Sequence, residues 1–277
     1  MTPSFSIESA LTAFGTRDDD DLDIAEVALL LGALDRPSSD LDPYRAHLNA
    51  LGAALINGTG KDTTALDERV RRINDVLYRR FGYAGDTSDY EHPDNANLLR
   101  VIDRRVGLPV SLGILYIHLA RSQGWPVMGL AFPGHFLVRL DHEARRVIVD
   151  PFHNGQPLEA GHLRDLIKQF HGASAELEQR HYAGVSDREV LLRLQNNLKT
   201  RALQANDPQR ATVILKRMTL IAPKAASLWR ELGLIEAHVG NIRRAIGALE
   251  TFLELAPGAK EAEKTADLLK RLRGTLN

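Results

Sequence analysis

Residues 107–153, GLPVSLGILYIHLARSQGWPVMGLAFPGHFLVRLDHEARRVIVDPFH, constrain the fold of this chain more than any other stretch. Leu112, Leu115, Tyr116 and Leu119 recur at the i, i+3, i+4, i+7 spacing of a helix face. Pro109 suits a helix start, and Ser111, a favoured N-cap type, stands at or near that N-terminus. Gly124 and then Pro126 supply the stop. Residues 135–140 and 146–150 are short and rich in Val, Ile, Leu and Phe, which predicts two strands. The polar residues 141–145 between them predict a hairpin loop.

A loop centred near His142 or Glu143 sets residue 135 opposite residue 150 or 151. His135 and Asp150 are then cross-strand neighbours, with Cβ atoms about 4.5–7 Å apart. A hydroxyl at a helix N-terminus, an imidazole and an orienting carboxylate are the parts of a nucleophile–base–orienter triad. Spacing alone puts His135 beside Asp150. It does not put Ser111 beside either.

At 277 residues the chain is long enough for two domains. A formal net charge of −1 gives no basic field for nucleic acid or an acidic membrane surface. No apolar run reaches the roughly 18 residues of a membrane helix, and the N-terminus lacks the pattern of a signal peptide. The absence of cysteine excludes disulfides, thiolate metal sites and a cysteine nucleophile. A cytoplasmic protein is the expectation.

Helices are expected over residues 5–14, 24–34, 44–56 and 63–80. The acidic run Asp18-Asp19-Asp20-Asp21-Leu22-Asp23 lacks the glycine and closing glutamate of an EF-hand loop. It reads instead as charge complementing the dipole of the following helix. Residues 81–106 form a polar connector ending in a short helix over 96–105; Asn95 and Asn97 there either line a site or cap a helix, the role Asn favours. A helix is expected over 163–170, then irregular chain to 185. The 10 histidines include no H-x-x-x-H pair, so neither a metal nor another cofactor is expected. His142 and His153 lie near the hairpin ends, with His153 placed to rim the site. Basic stretches at 69–72 and 270–273 read as solvated helix faces, and an aromatic content of 6% offers no platform for stacking bases.

From residue 186 the chain repeats itself. A shift of 34 residues superposes Leu194 on Leu228, Leu198 on Leu232, Asn206 on Gly240, Ala211 on Ala245, Leu215 on Leu249 and Pro223 on Pro257. Period and punctuation fit a tetratricopeptide helix pair. Two such units and a final helix over 260–273 cannot bury a solenoid core alone. They are expected to dock on the first domain or on a second copy of the protein, which would make a homo-oligomer. The expected division is 1–185 and 186–277.

The order Ser111, His135, Asp150, on a helix N-terminus followed by two strands, resembles the transglutaminase-like core. More closely, Gly107-Leu108-Pro109-Val110-Ser111-Leu112, Pro133-Gly134-His135-Phe136-Leu137-Val138-Arg139, Asp150-Pro151-Phe152 and the repeats ending near Pro257 resemble the SirB-type family. That family joins such a core to C-terminal tetratricopeptide repeats. The resemblance implies an α+β fold: a papain/transglutaminase-like core with a helical N-terminal part and a central helix on a small antiparallel sheet, then an all-α repeat region. Catalytic transglutaminase-like proteins carry Cys, His and Asp at the positions that resemble Ser111, His135 and Asp150. Serine in place of cysteine loses the readily formed thiolate and depends on proton removal by the histidine and on an oxyanion hole, whose one apparent donor is the backbone N–H of Ser111 or Leu112. The resemblance therefore implies a non-catalytic module that binds a protein or peptide through its repeats. The alternative is a serine hydrolase using Ser111, His135 and Asp150.

Overall fold

The computed structural model describes residues 3–56 and 65–275. Helices α1 (Pro3–Gly15), α2 (Ile24–Ala33) and α3 (Asp42–Ile56) form where the pattern places them. In the acidic run, Asp23 caps α2: its Oδ1 accepts from the backbone N–H groups of Ala25 and Glu26, both at 3.1 Å. Thr63 and Thr64, the expected start of the next helix, lie outside the described residues. The described part is α4 (Leu66–Asn74), which widens into a π-helical turn over Asp75–Arg80.

The connector is more ordered than its composition suggests. It contains the parallel pair β1 (Ala84–Gly85) and β2 (Val106–Gly107), with α5 (Leu98–Arg104) between them. Asn97 caps α5 through its Oδ1, which accepts from Leu99 and Arg100, while its amide donates to the Gly32 carbonyl of α2 at 3.0 Å.

Next comes α6 (Pro109–Ser122), with Leu108 as N-cap and Pro109 in first place. Only His118, Arg121 and Ser122 on this helix are not buried, so it is covered on every side rather than along one stripe. Burying each of its leucines and isoleucines stabilises the fold by about 1.5–3 kcal/mol.

A five-stranded antiparallel sheet follows from β3 (Val127–Leu130), β4 (Val138–His142), β5 (Arg145–Asp150), β6 (Gln156–Leu158) and β7 (Gly184–Val185), in the order β6-β5-β4-β3-β7. The expected hairpin is present, with two corrections. Its loop is only Glu143 and Ala144, with Glu143 at φ +53°, because Asp141, His142 and Arg145 pair at the exposed end of the ladder. Polarity there marked exposure, not a loop. Val138 pairs with Val149, so the ladder's extension sets residue 135 opposite 152, and His135 itself precedes the strand. Strands β3, β6 and β7 are two to four residues long, too short to show an alternating pattern.

Helix α7 (Ala160–His171) lays Leu163 and Ile167 on Leu130, Phe132, Leu137 and Ile148 of the sheet region. On the side of α6, the ring of Phe136 fills a slot opened by two glycines. A Cβ on Gly113 of α6 would lie 2.3 Å from the Phe136 ring, and one on Gly129 of β3 would lie 2.7 Å from it.

Helices α8 (Asp187–Gln204), α9 (Pro208–Ile221), α10 (Ala226–His238), α11 (Ile242–Leu255) and α12 (Ala262–Gly274) complete the chain. The repeat is visible in three dimensions: Asn206 (φ +56°) and Gly240 (φ +81°) both make the left-handed turn between helices, and Ala211 and Ala245 are both fully buried. Two compact units result, Asp19–Leu194 and Met1–Asp18 with Gln195–Asn277. This differs from the expected division in two ways. The border falls inside α8, and α1 belongs with the repeats: the end of α1 presses on α9 so closely that a Cβ on Gly15 would meet the Leu220 carbonyl oxygen at 2.0 Å. Within its unit, α1 lies against α9 and buries Leu11.

The glycine slot predicts opposite signs for two helical Gly→Ala changes. Gly113→Ala should lower unfolding stability by about 1–3 kcal/mol through overpacking against Phe136. Gly247→Ala, whose added Cβ meets nothing within 4 Å, should raise it by about 0.5–1 kcal/mol. Urea denaturation of the two variants beside wild type checks both signs.

Candidate functional site

His135 lies in the loop joining β3 to β4, and several contacts fix it there. Gly134 has φ +77°, and a Cβ on it would sit 2.5 Å from the Phe170 ring, so both backbone and space require glycine. Arg193, on α8, donates to the carbonyls of Phe132 (3.1 Å) and His135 (2.9 Å), with its guanidinium 5.5 Å from the Phe136 ring centroid. Burial lowers the Arg193 pKa, a tendency that Tyr90 opposes. The imidazole of His135 stacks on Phe170 at 6.0 Å and meets Phe152 edge-on at 6.3 Å.

Asp150 ends β5 with 2% exposure. His135 Nε2 lies 2.9 Å from its Oδ2, and His153 Nδ1 lies 2.7 Å from the same oxygen. An ionised carboxylate only accepts, so both ring nitrogens donate. The other oxygen, Oδ1, accepts from the backbone N–H groups of Phe152 (2.9 Å) and His153 (3.4 Å). Burial raises the Asp150 pKa, but the hydrogen bonds and charges of His135 and His153 outweigh it, and the net shift is downward.

Ser111 stands elsewhere in the hydrogen-bond network. It is the third residue of α6, fully buried, and its hydroxyl donates to the Asn95 carbonyl at 2.6 Å. The same carbonyl accepts from the Leu108 N–H at 3.1 Å. Among the described residues Ser111 and His135 share no hydrogen bond. Of the two candidates for the one oxyanion donor, the Leu112 N–H is already engaged with the Leu108 carbonyl at 3.0 Å.

Asn95, which the sequence left between site and cap, braces the connector instead. Its amide donates to the Asp89 carbonyl (2.8 Å), and its Oδ1 accepts from Arg104 (2.9 Å). Arg104 also pairs with the buried Asp86 at 3.0 Å. Burial pushes the Asp86 pKa up, but hydrogen bonds from Ser88, Asp89, Asn95 and Arg104 bring it down to about 2. The carbonyl that holds Ser111 is thus itself held from both flanks.

Sequence reasoning missed two contributors. Arg193 carried no signal, because nothing in a helix assigned to the repeats points to a distant loop. His153 was expected only at the rim, although Asp150-x-x-His153 spacing marks a turn that can fold an imidazole back on a carboxylate. His135, Asp150 and His153 each offer a ligand atom within 4.8 Å of the others, a cluster that a search for paired histidines on one helix cannot find.

Residues 42–196 match the profile of the transglutaminase-like superfamily, and residues 198–270 that of the tetratricopeptide repeat. The chain belongs to the transglutaminase-like superfamily. It is 29% identical over 252 residues to a UPF0162 protein of Xylella fastidiosa, covering 90% of this chain and 89% of that one. It is also 29% identical to a UPF0162 protein of Vibrio cholerae, covering 89% of this chain and 91% of that one. Mouse F-box only protein 21 is 32% identical over 134 residues, which is 46% of this chain and 20% of that protein. No described helix is long and apolar enough to cross a membrane.

The lowered Asp150 pKa fixes the sign of a pH effect. A carboxylate depressed in the folded state contributes stability above its ordinary value of 3.8, and that stability is lost as the pH falls through the lower folded value. Asp150→Asn should cost on the order of 1–3 kcal/mol at pH 7. The gap to wild type, read by urea denaturation, should narrow at pH 3. Equal gaps at the two pH values would show that ionisation of Asp150 contributes nothing.

Proposed function

We propose that this transglutaminase-like protein is a non-catalytic interaction module, with the core kept as a scaffold and the repeats presenting a surface to a protein or peptide partner. One observation carries the reading: the Ser111 hydroxyl is buried and gives its only proton to the Asn95 carbonyl. A serine becomes a nucleophile when a base removes that proton as it attacks. A carbonyl oxygen cannot serve as that base. The imidazole that would do so, oriented by its Nε2–H bond to Asp150, keeps Nδ1 as its basic nitrogen, and among the described residues no hydrogen bond joins that nitrogen to Ser111. Tetratricopeptide arrays commonly bind peptides along their stacked helices, which supports assigning partner capture to residues 198–270.

A second reading, a hydrolase with Ser111 as nucleophile, His135 as general base and Asp150 as orienter, draws on the buried His135–Asp150 pair at 2.9 Å. It requires the Ser111 hydroxyl to leave Asn95. Fluorophosphonate labelling of the folded protein beside Ser111→Ala and His135→Ala separates the two. No labelling of wild type is expected. Labelling that disappears in both variants would establish an activated serine and replace the scaffold reading.

A further inference from the structure

The cluster at the end of β5 supports a use that neither reading of Ser111 requires. Asp150 Oδ2 lies 2.9 Å from His135 Nε2 and 2.7 Å from His153 Nδ1, and each of the three residues offers one ligand atom within 4.8 Å of those of the other two. On one face of an octahedron with bonds of about 2.1 Å, ligand atoms stand about 3 Å apart. Two imidazole nitrogens and one carboxylate oxygen are the donor set that borderline divalent metals prefer, and they leave the opposite positions open. We propose that His135, Asp150 and His153 form a binding site for one divalent transition-metal ion of the zinc class.

Preorganisation supports the site beyond the distances. His153 has a side chain 56% exposed, yet its position is determined by the turn that carries it. That turn is tied at every step. Tyr78 donates its hydroxyl to the Pro151 carbonyl (2.9 Å), and Asn74 its amide to the Gly155 carbonyl (2.9 Å). The Gly155 N–H returns to the Asp150 carbonyl (2.9 Å), and the Gln156 N–H to that of His153 (3.1 Å). Asn154 (φ +56°) and Gly155 (φ +68°) both take left-handed backbone to close the turn, and a Cβ on Gly155 would collide with the Asn74 amide oxygen at 2.0 Å. An exposed imidazole held by so many bonds pays little ordering entropy on binding a cation.

The remaining ligands are buried, Asp150 at 2% and His135 at 6% exposure, with Phe152 and Phe170 against the His135 ring. One anionic oxygen and two neutral imidazoles partly neutralise a divalent ion. On binding, each imidazole carries its proton on its other ring nitrogen, Nδ1 of His135 and Nε2 of His153, and the metal takes the place of the two protons now shared with Oδ2.

Calorimetric titration of the chelator-treated full chain with zinc chloride at pH 7.5 tests the site. Cobalt chloride is added in parallel, and its visible absorption reports coordination by nitrogen and oxygen. One equivalent should bind, and His153→Ala should weaken it at least about tenfold, since even outer-shell losses reach that size. The exposure of His153 lets that variant fold, which circular dichroism verifies; His135→Ala should weaken binding as much. No stoichiometric binding to wild type, or one equivalent with unchanged affinity in folded His153→Ala, would overturn the proposal, the latter by assigning the ion to another histidine. Calorimetry does not depend on Ser111, so either outcome leaves the labelling result standing.

Discussion

The seating of Phe136 between Gly113 and Gly129 is the contact on which the site depends. A helix and a sheet separated by side chains on both surfaces leave no room for a ring pressed close to both backbones. Two missing Cβ atoms create that room, and Phe136 occupies it with 2% exposure. Because the ring cannot move, the residue before it cannot move either. The backbone carbonyl of His135 is then tied by Arg193, and Gly134 lets the chain turn sharply beneath Phe170. An imidazole on a loop therefore acquires the fixity of one on a strand.

Asp150 is the second point of convergence. All four of its close partners are donors: two imidazoles on one oxygen and two backbone N–H groups on the other. Ser111 lies in a different network, joined through Asn95 to Arg104 and Asp86. Polar connectors such as residues 81–106 are commonly passed over as loops, yet here the buried amides and carboxylates do the work of a core.

Much of this was legible in the sequence, for reasons that can be stated. Helical period, proline start and glycine stop marked α6, and the 34-residue shift marked the repeats, whose left-handed turns at Asn206 and Gly240 occupy matching places. The proximity of His135 and Asp150 followed from a hairpin even though the register was misjudged, because a loop residue can lean across an offset that a strand residue cannot. What stayed hidden depends on contacts remote in the chain. The bond from Arg193 to His135, the two-glycine slot and the packing of α1 against α9 each join segments whose local patterns say nothing of one another. Short strands such as β7, with two residues, are defined by their partners alone.

Helix α8 has one further consequence. Its first half carries Val190, Leu191 and Leu194 in buried positions and Arg193 on the His135 loop, while its second half continues the repeat through Leu198. The boundary between the two modules therefore runs through a continuous helix instead of a linker. A gene fusion or exchange that joined foreign repeats at the end of the sheet would discard the arginine that secures His135. In this chain, foreign repeats would leave His135 secured only if they were joined within α8, after Arg193.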